Sequence, residues 1–299
     1  MRIFKGHRGK IGANALTYSP DGSLLASGGE DGAVRFWDLA KGEEAFAFAL
    51  HWHLVTGLGF LAGGRVLVSS SWDDTVRFWD VARRKQVKRF ETDSGTNCLA
   101  VSRDGRQVAV AGAFTPSFNQ SVHRWQFDAV PKPRFKTLPQ IVFHENQIGA
   151  VAYSPDGRLL ATGSADRTTR VWDLEEGVLR YRWTSRAWIQ GVTFSPDGKT
   201  LAIAAGRQVS LRALDDGHEQ TRLSNHRHTA MSVAWSPDRR LVVSGGKDGA
   251  VCCWDAALGR VAAIYRWKIG PVEAIAFSPD GMTAAAGGDG DIAVWDVDA

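Results

Sequence analysis

The sequence predicts an all-β chain built by repetition, and three observations lead there. A large aromatic recurs at a nearly fixed interval, a tight-turn signal recurs in step with it, and glycine is abundant, at 32 of 299 residues. The stretch Ser154 to Asp173, SPDGRLLATGSADRTTRVWD, shows the unit. A turn at Ser154 to Gly157 precedes an apolar run at Leu159 to Ala161, a second turn follows at Asp166, and an alternating run ends in Trp172-Asp173. This reads as two short antiparallel strands. Two strands cannot shelter an apolar face alone, and repetition supplies the cover.

Taken in order, equivalent tryptophans fall at Trp37, Trp79, Trp125, Trp172, Trp254 and Trp295, with Leu211 in the vacant place. The spacings are 42, 46, 47, 39, 43 and 41 residues, which gives seven copies. Turns keep step: SPDG at Ser19, Ser154, Ser195 and Ser278, SRDG at Ser102 and SPDR at Ser236. The second copy replaces that turn with LAGGR from Leu61.

These residues resemble the WD-repeat family of β-propellers, over nearly the whole chain. The resemblance implies four antiparallel strands per copy, blades set radially around a channel, and third strands ending near 37, 79, 125, 172, 211, 254 and 295. It also implies a buried chain of bonds from the tryptophan to a hydroxyl, a histidine and a turn aspartate. Those are His7, Ser27, Asp31 and Trp37 in the first copy, and His51, Ser69, Asp73 and Trp79 in the second. The fourth has His144, Thr162, Asp166 and Trp172, and the sixth His226, Ser244, Asp248 and Trp254. The third copy carries Asn119 in the aspartate place, the seventh has Lys268 and Ala285 for histidine and hydroxyl, and the fifth lacks nearly all of it. Arg2 to Lys5 form a strand without a copy of their own, expected to complete the last blade and close the ring as a single domain over 1–299.

Composition narrows the function classes. No window holds 18 apolar residues, and the start MRIFKGHRGK lacks the apolar core of a signal peptide, so neither a membrane span nor export is expected. Three cysteines, two of them adjacent and so on opposite strand faces, fit a reducing cytoplasm. Heavy use of Ala, Gly and Arg suits a GC-rich bacterial genome. The net charge of +4 is scattered, which argues against nucleic acid because phosphate binding needs a concentrated stripe.

Repeated Ser, His and Asp invite a hydrolase reading, but four copies of one catalytic site in a chain are implausible, and no GxSxG, Walker, HExxH or CxxC motif occurs. His51 with His53, and His226 with His228, are the candidate metal pairs, without supporting ligands nearby. The expectation is therefore no catalytic residue, no metal and no cofactor. What remains is surface recognition of a protein or peptide partner by a monomeric scaffold. The candidate rim is Trp52, Trp72, Trp188, Met231, Lys247 and Glu30, with Phe114 and Phe118 on an enlarged turn of the third copy. Asn14, Thr56, Asn97, Gln190 and Glu273 are further rim positions. The insertion from Gln126 to Pro139, with three prolines, reads as an irregular surface excursion. A propeller enzyme with its site at the channel mouth and a nucleic-acid-binding propeller are the rival readings.

Overall fold

The structure is a computed structural model and describes residues 1–112, 120–128 and 134–298. β1 (Arg2–Lys5) leads into β2 (Ile11–Tyr18), β3 (Leu24–Gly29), β4 (Ala33–Asp38) and β5 (Glu43–Ala49), an antiparallel walk outward from β2. The walk recurs from β6 (Val55–Leu61) to β9 (Lys85–Glu91), and from β10 (Thr96–Val101) to β13 (Arg134–His144). It recurs again from β14 (Ile148–Tyr153) to β17 (Val178–Thr184), from β18 (Ile189–Phe194) to β21 (Glu219–Ser224), and from β22 (Ala230–Trp235) to β25 (Arg260–Tyr265). The last walk, β26 (Ala274–Phe277), β27 (Thr283–Gly287) and β28 (Asp291–Asp296), takes β1 as its outer strand. The strands that open successive walks lie against one another in a cycle, with β26 returning to β2. The fold is an all-β propeller of antiparallel four-stranded blades.

The sheets are not seven separate ones. Five have four strands, and the first two walks are fused into one of eight by a single parallel bridge, Asn14 with Gly57. Close approach at the axis explains the fusion: a Cβ at Gly12 would overlap the carbonyl oxygen of Val55. No helix among the described residues is long and apolar enough to cross a membrane.

Packing explains why the aromatic recurs. Each apolar cluster draws on two neighbouring blades, so the interior lies between blades rather than within them. Four of the third-strand tryptophans meet an aromatic from the outer edge of the preceding blade. Phe4 lies 5.4 Å from Trp37, Phe48 stacks on Trp79 at 4.5 Å, Phe90 on Trp125 at 5.4 Å, and Trp267 lies 4.8 Å from Trp295. Leu211 is buried in the place where the indole is missing.

The insertion at Gln126 to Pro139 departs from expectation. Residues 129–133 lie outside the described region, but Arg134–His144 is an eleven-residue strand paired with Gln120–Asp128. Pro139 is tolerated because an outer strand leaves its N–H side unpaired, and the register slips there. Phe135 joins Phe78, Phe90 and Phe127 at centroid distances of 4.7, 5.4 and 5.2 Å, and that aromatic burial holds the segment in place.

Candidate functional site

Alternating strand direction brings two sets of loops to one end of the ring: the connectors into each opening strand, and the turns between second and third strands. Backbone bonds tie them together, from Glu30 N–H to Lys10 O, Trp72 to Leu54, Ala165 to Gln147 and Lys247 to Thr229. The first blade's turn needs glycine at position 32, where φ is 70° and a Cβ would overlap the carbonyl oxygen of His51 in the next connector.

Below this rim run the buried bond chains. An indole N–H can only donate and an ionised carboxylate can only accept, so with a neutral imidazole between them the chain runs in one direction. Trp37 Nε1–H donates to Ser27 Oγ (2.8 Å), Ser27 Oγ–H donates to His7 Nε2 (2.7 Å), and His7 Nδ1–H donates to Asp31 (2.8 Å). Trp79, Ser69, His51 and Asp73 repeat the pattern with 2.8 Å at each link. Trp254, Ser244, His226 and Asp248 do so at 3.0, 2.8 and 3.1 Å. The fourth chain is incomplete. His144 bonds Thr162 and Asp166 at 2.8 Å each, but the indole nitrogen of Trp172 is buried without a partner. Threonine's γ-methyl restricts its χ1, and its hydroxyl is turned to His144 and the Arg170 carbonyl.

Burial holds the His51 and His144 imidazoles below their ordinary value, as the neutral donor roles require. Burial opposes ionisation of Asp73, yet the bonds it accepts from His51, Thr75 and the Trp52 backbone outweigh it and hold the carboxyl at about 2. Asp31 and Asp166 are shifted down in the same way. Ser69 and Ser244 are fully buried and already accept an indole N–H, so neither presents an oxygen to a substrate. Both ring nitrogens of His51 and of His226 are committed, and His53 Nδ1 accepts the Leu54 N–H.

The aspartates also pin the rim. Asp31 accepts the Arg8 N–H (3.1 Å), Asp73 that of Trp52 (3.3 Å), Asp166 that of Glu145 (3.2 Å) and Asp248 that of Arg227 (2.8 Å). Each pinned residue sends its side chain into solvent. Sequence reasoning overlooked the hydroxyls that reinforce two of these turns: Thr75 and Thr168 bond Asp73 and Asp166, and Ser71 and Ser164 reach the connector carbonyls of His53 and Asn146.

Trp52, Trp188 and Trp72 are 70%, 52% and 40% exposed. Trp72 Nε1–H donates to Asn97 Oδ1 (3.0 Å), its ring meets the edge of His53 at 5.4 Å, and Lys10 Nζ lies 6.0 Å from its centroid. A cavity of about 200 Å³ opens at the channel mouth, lined by Lys10, Trp72, Asn97, Trp188, Met231 and Glu273 among others. Burial raises the Glu273 carboxyl, while Lys10 and Lys247 pull it down. Of the rim residues read from sequence, Trp72, Trp188, Met231, Thr56, Asn97, Gln190 and Glu273 line this cavity, and Trp52, Glu30, Lys247 and Asn14 stand outside it. Phe114 and Phe118 lie outside the described residues. Thr56 is buried, bonding Ser70 and Thr96. Lys10 and Gln147 were not singled out, although both sit three residues past a bond-chain histidine, a place that faces the cavity.

The WD domain, G-beta repeat pattern matches residues 1–38, 44–80, 135–173, 217–255 and 265–296. The chain belongs to the WD-repeat family. The longest unmatched stretches of this WD-repeat chain, 81–134 and 174–216, hold the third and fifth copies, whose sequences lack the aspartate–histidine pair; Asn119 of the third copy lies outside the described residues. It is 31% identical to Periodic tryptophan protein 2 of Saccharomyces cerevisiae over 81% of its length, and 30% identical to the protein of that name from Arabidopsis thaliana over 84%. The aligned parts span only 28% and 27% of those relatives. It is also 30% identical to Small ribosomal subunit protein RACK1y of Oryza sativa subsp. japonica, over 46% of this chain and 42% of the relative.

Proposed function

We propose that residues 1–299 form one seven-bladed WD-repeat propeller that performs no chemistry and serves as a rigid docking platform for a protein or peptide partner. The observation that carries this reading is the exposure of Trp52, Trp72 and Trp188 on one loop surface, where Asp73 and Asp248 pin the connectors at Trp52 and Arg227 from below. Exposed indoles on a fixed backbone suit an anchor, because little ordering entropy is lost when a partner docks. Met231, Lys247 and Glu30 extend the face, and Phe114 and Phe118 belong to it in this reading.

Seven blades are supported by the apolar clusters, which fall at seven junctions, counting one between the fused first and second walks. Relatives named as a small ribosomal subunit protein and as a subunit of eukaryotic translation initiation factor 3 are consistent with work inside assemblies. A cytoplasmic monomer that joins a larger complex is the corresponding cellular reading.

Affinity capture from cell extract, comparing the native chain with Trp72→Ala and Trp188→Ala, tests the proposal. Loss of the same specific protein from both variants is the expected result. An unchanged captured set with both variants folded would move the working surface to the opposite face.

A further inference from the structure

The charges of the rim are not evenly spread. From the fifth blade round to the first, the loops carry Arg186, Arg207, Arg227, Lys247, Lys268 and Lys10, and all but the half-buried Lys10 are exposed. None of the six forms an ion pair with a described carboxylate, although the fifth to seventh blades pair Arg212 with Glu219, Arg239 with Asp197 and Arg240 with Asp298 on other surfaces. Three carboxylates on the same arc stand outside the bond chains: Glu30, Glu273 and Asp289. The opposite arc carries the exposed acids Asp74, Asp93 and Glu145 together with the exposed Arg167, so acids outnumber cations there. The rim is thus polarised, and its basic half borders the cavity lined by Trp188 and Met231.

We infer that this basic arc binds an acidic segment of a partner protein, with one bulky apolar side chain of that segment seated between Trp188 and Met231. The inference rests on the rim reading above and adds the partner's chemistry. Size favours a single side chain over a small-molecule cofactor, since about 200 Å³ lies below the roughly 300 Å³ at which ligand pockets begin. Amides at Asn97, Gln147 and Gln190 line the same cavity and can meet peptide groups. Carboxylates set among the cations oppose an unbroken run of phosphates, which favours a peptide over nucleic acid. Arginine and lysine left without an ion-pair partner serve encounter and register, so the association is salt-dependent.

Selection of a random twelve-residue phage-displayed peptide library on the intact chain tests this. Enriched sequences are expected to hold several Asp or Glu residues beside one Leu, Phe or Trp. The best peptide should lose about tenfold or more in affinity with Arg227→Glu combined with Lys247→Glu, about tenfold with Trp188→Ala, and several-fold between 50 and 200 mM salt. The substituted side chains are exposed, and an unchanged melt of each variant confirms folding. Neutral or basic consensus sequences, or no enrichment, overturn the acidic partner. If those sequences still lose binding with Trp72→Ala, the rim reading stands. Peptides indifferent to every rim variant remove both. A thymidine oligonucleotide that binds as tightly through the same cations overturns the inference in favour of nucleic acid.

Discussion

Phe4 lies opposite Ile292 in the antiparallel ladder that joins the first strand of the chain to the last. Its ring is buried against Trp37, so one short strand both covers the edge of the last blade and fills the gap before the first. Burial of a phenylalanine contributes about 1.5–3 kcal/mol, and each backbone bond of the ladder adds roughly 0.5–1.5. Deleting Met1 to Lys5 should therefore lower the melting temperature by about 10 °C, given roughly 2–4 °C per kcal/mol at this size. Calorimetry of the truncated chain checks it, and an unshifted melt would show that the ladder does not hold the ring.

Ser69 and Thr162 occupy equivalent places but hold different numbers of partners. Ser69→Ala orphans the Trp79 indole N–H and His51 Nε2, whereas Thr162→Ala orphans His144 Nε2 alone. At about 1–3 kcal/mol per unsatisfied buried group, the serine variant should lose clearly more stability in urea titration. Equal losses would mean that the indole bond contributes nothing.

Acid should loosen the molecule in two stages. His51 and His144 are held neutral by burial, below the ordinary 6.5, so the unfolded chain takes up protons first and stability falls as pH drops below about 6.5. Asp31, Asp73 and Asp166 sit below the ordinary 3.8, so their contribution is complete above about 4 and is lost as pH falls through about 2 for Asp73. Urea midpoints at pH 7.5, 5.0 and 3.5 should fall in that order. A midpoint that rises between 7.5 and 5.0 contradicts the neutral-imidazole assignment.

The repeat, its period and the four candidate bond chains were legible because each recurs in step with a tryptophan. The aromatic on the preceding blade's outer edge was not: Phe48 and Phe90 each follow a tryptophan of the repeat by eleven residues, but Trp267 and Phe4 keep no such interval, and all four gain meaning only once neighbours pack. The failure of Trp172 to bond Thr162 was also hidden, since Ser and Thr are equivalent as hydroxyls and differ only in rotamer freedom. Trp72 and Trp188 stood out as indoles without a place in the repeat. Their convergence with Met231 and Lys10 on one cavity depends on ring curvature, which no local pattern encodes.

Phe135 gives a sharper check on the misread insertion. As part of a four-ring cluster it should cost about 2–3 kcal/mol on replacement by alanine, against about zero for a residue in a loose excursion. Thermal unfolding of Phe135→Ala distinguishes the two.

Rigid presentation is most directly tested by amide hydrogen exchange at the rim. The Trp52 and Arg227 amides, bonded to Asp73 and Asp248, should exchange about a hundredfold or more slowly than in an unfolded chain, while Asp93 on the connector of the third blade exchanges freely. Exchange at Trp52 and Arg227 as fast as at Asp93 would contradict a rim held in fixed register.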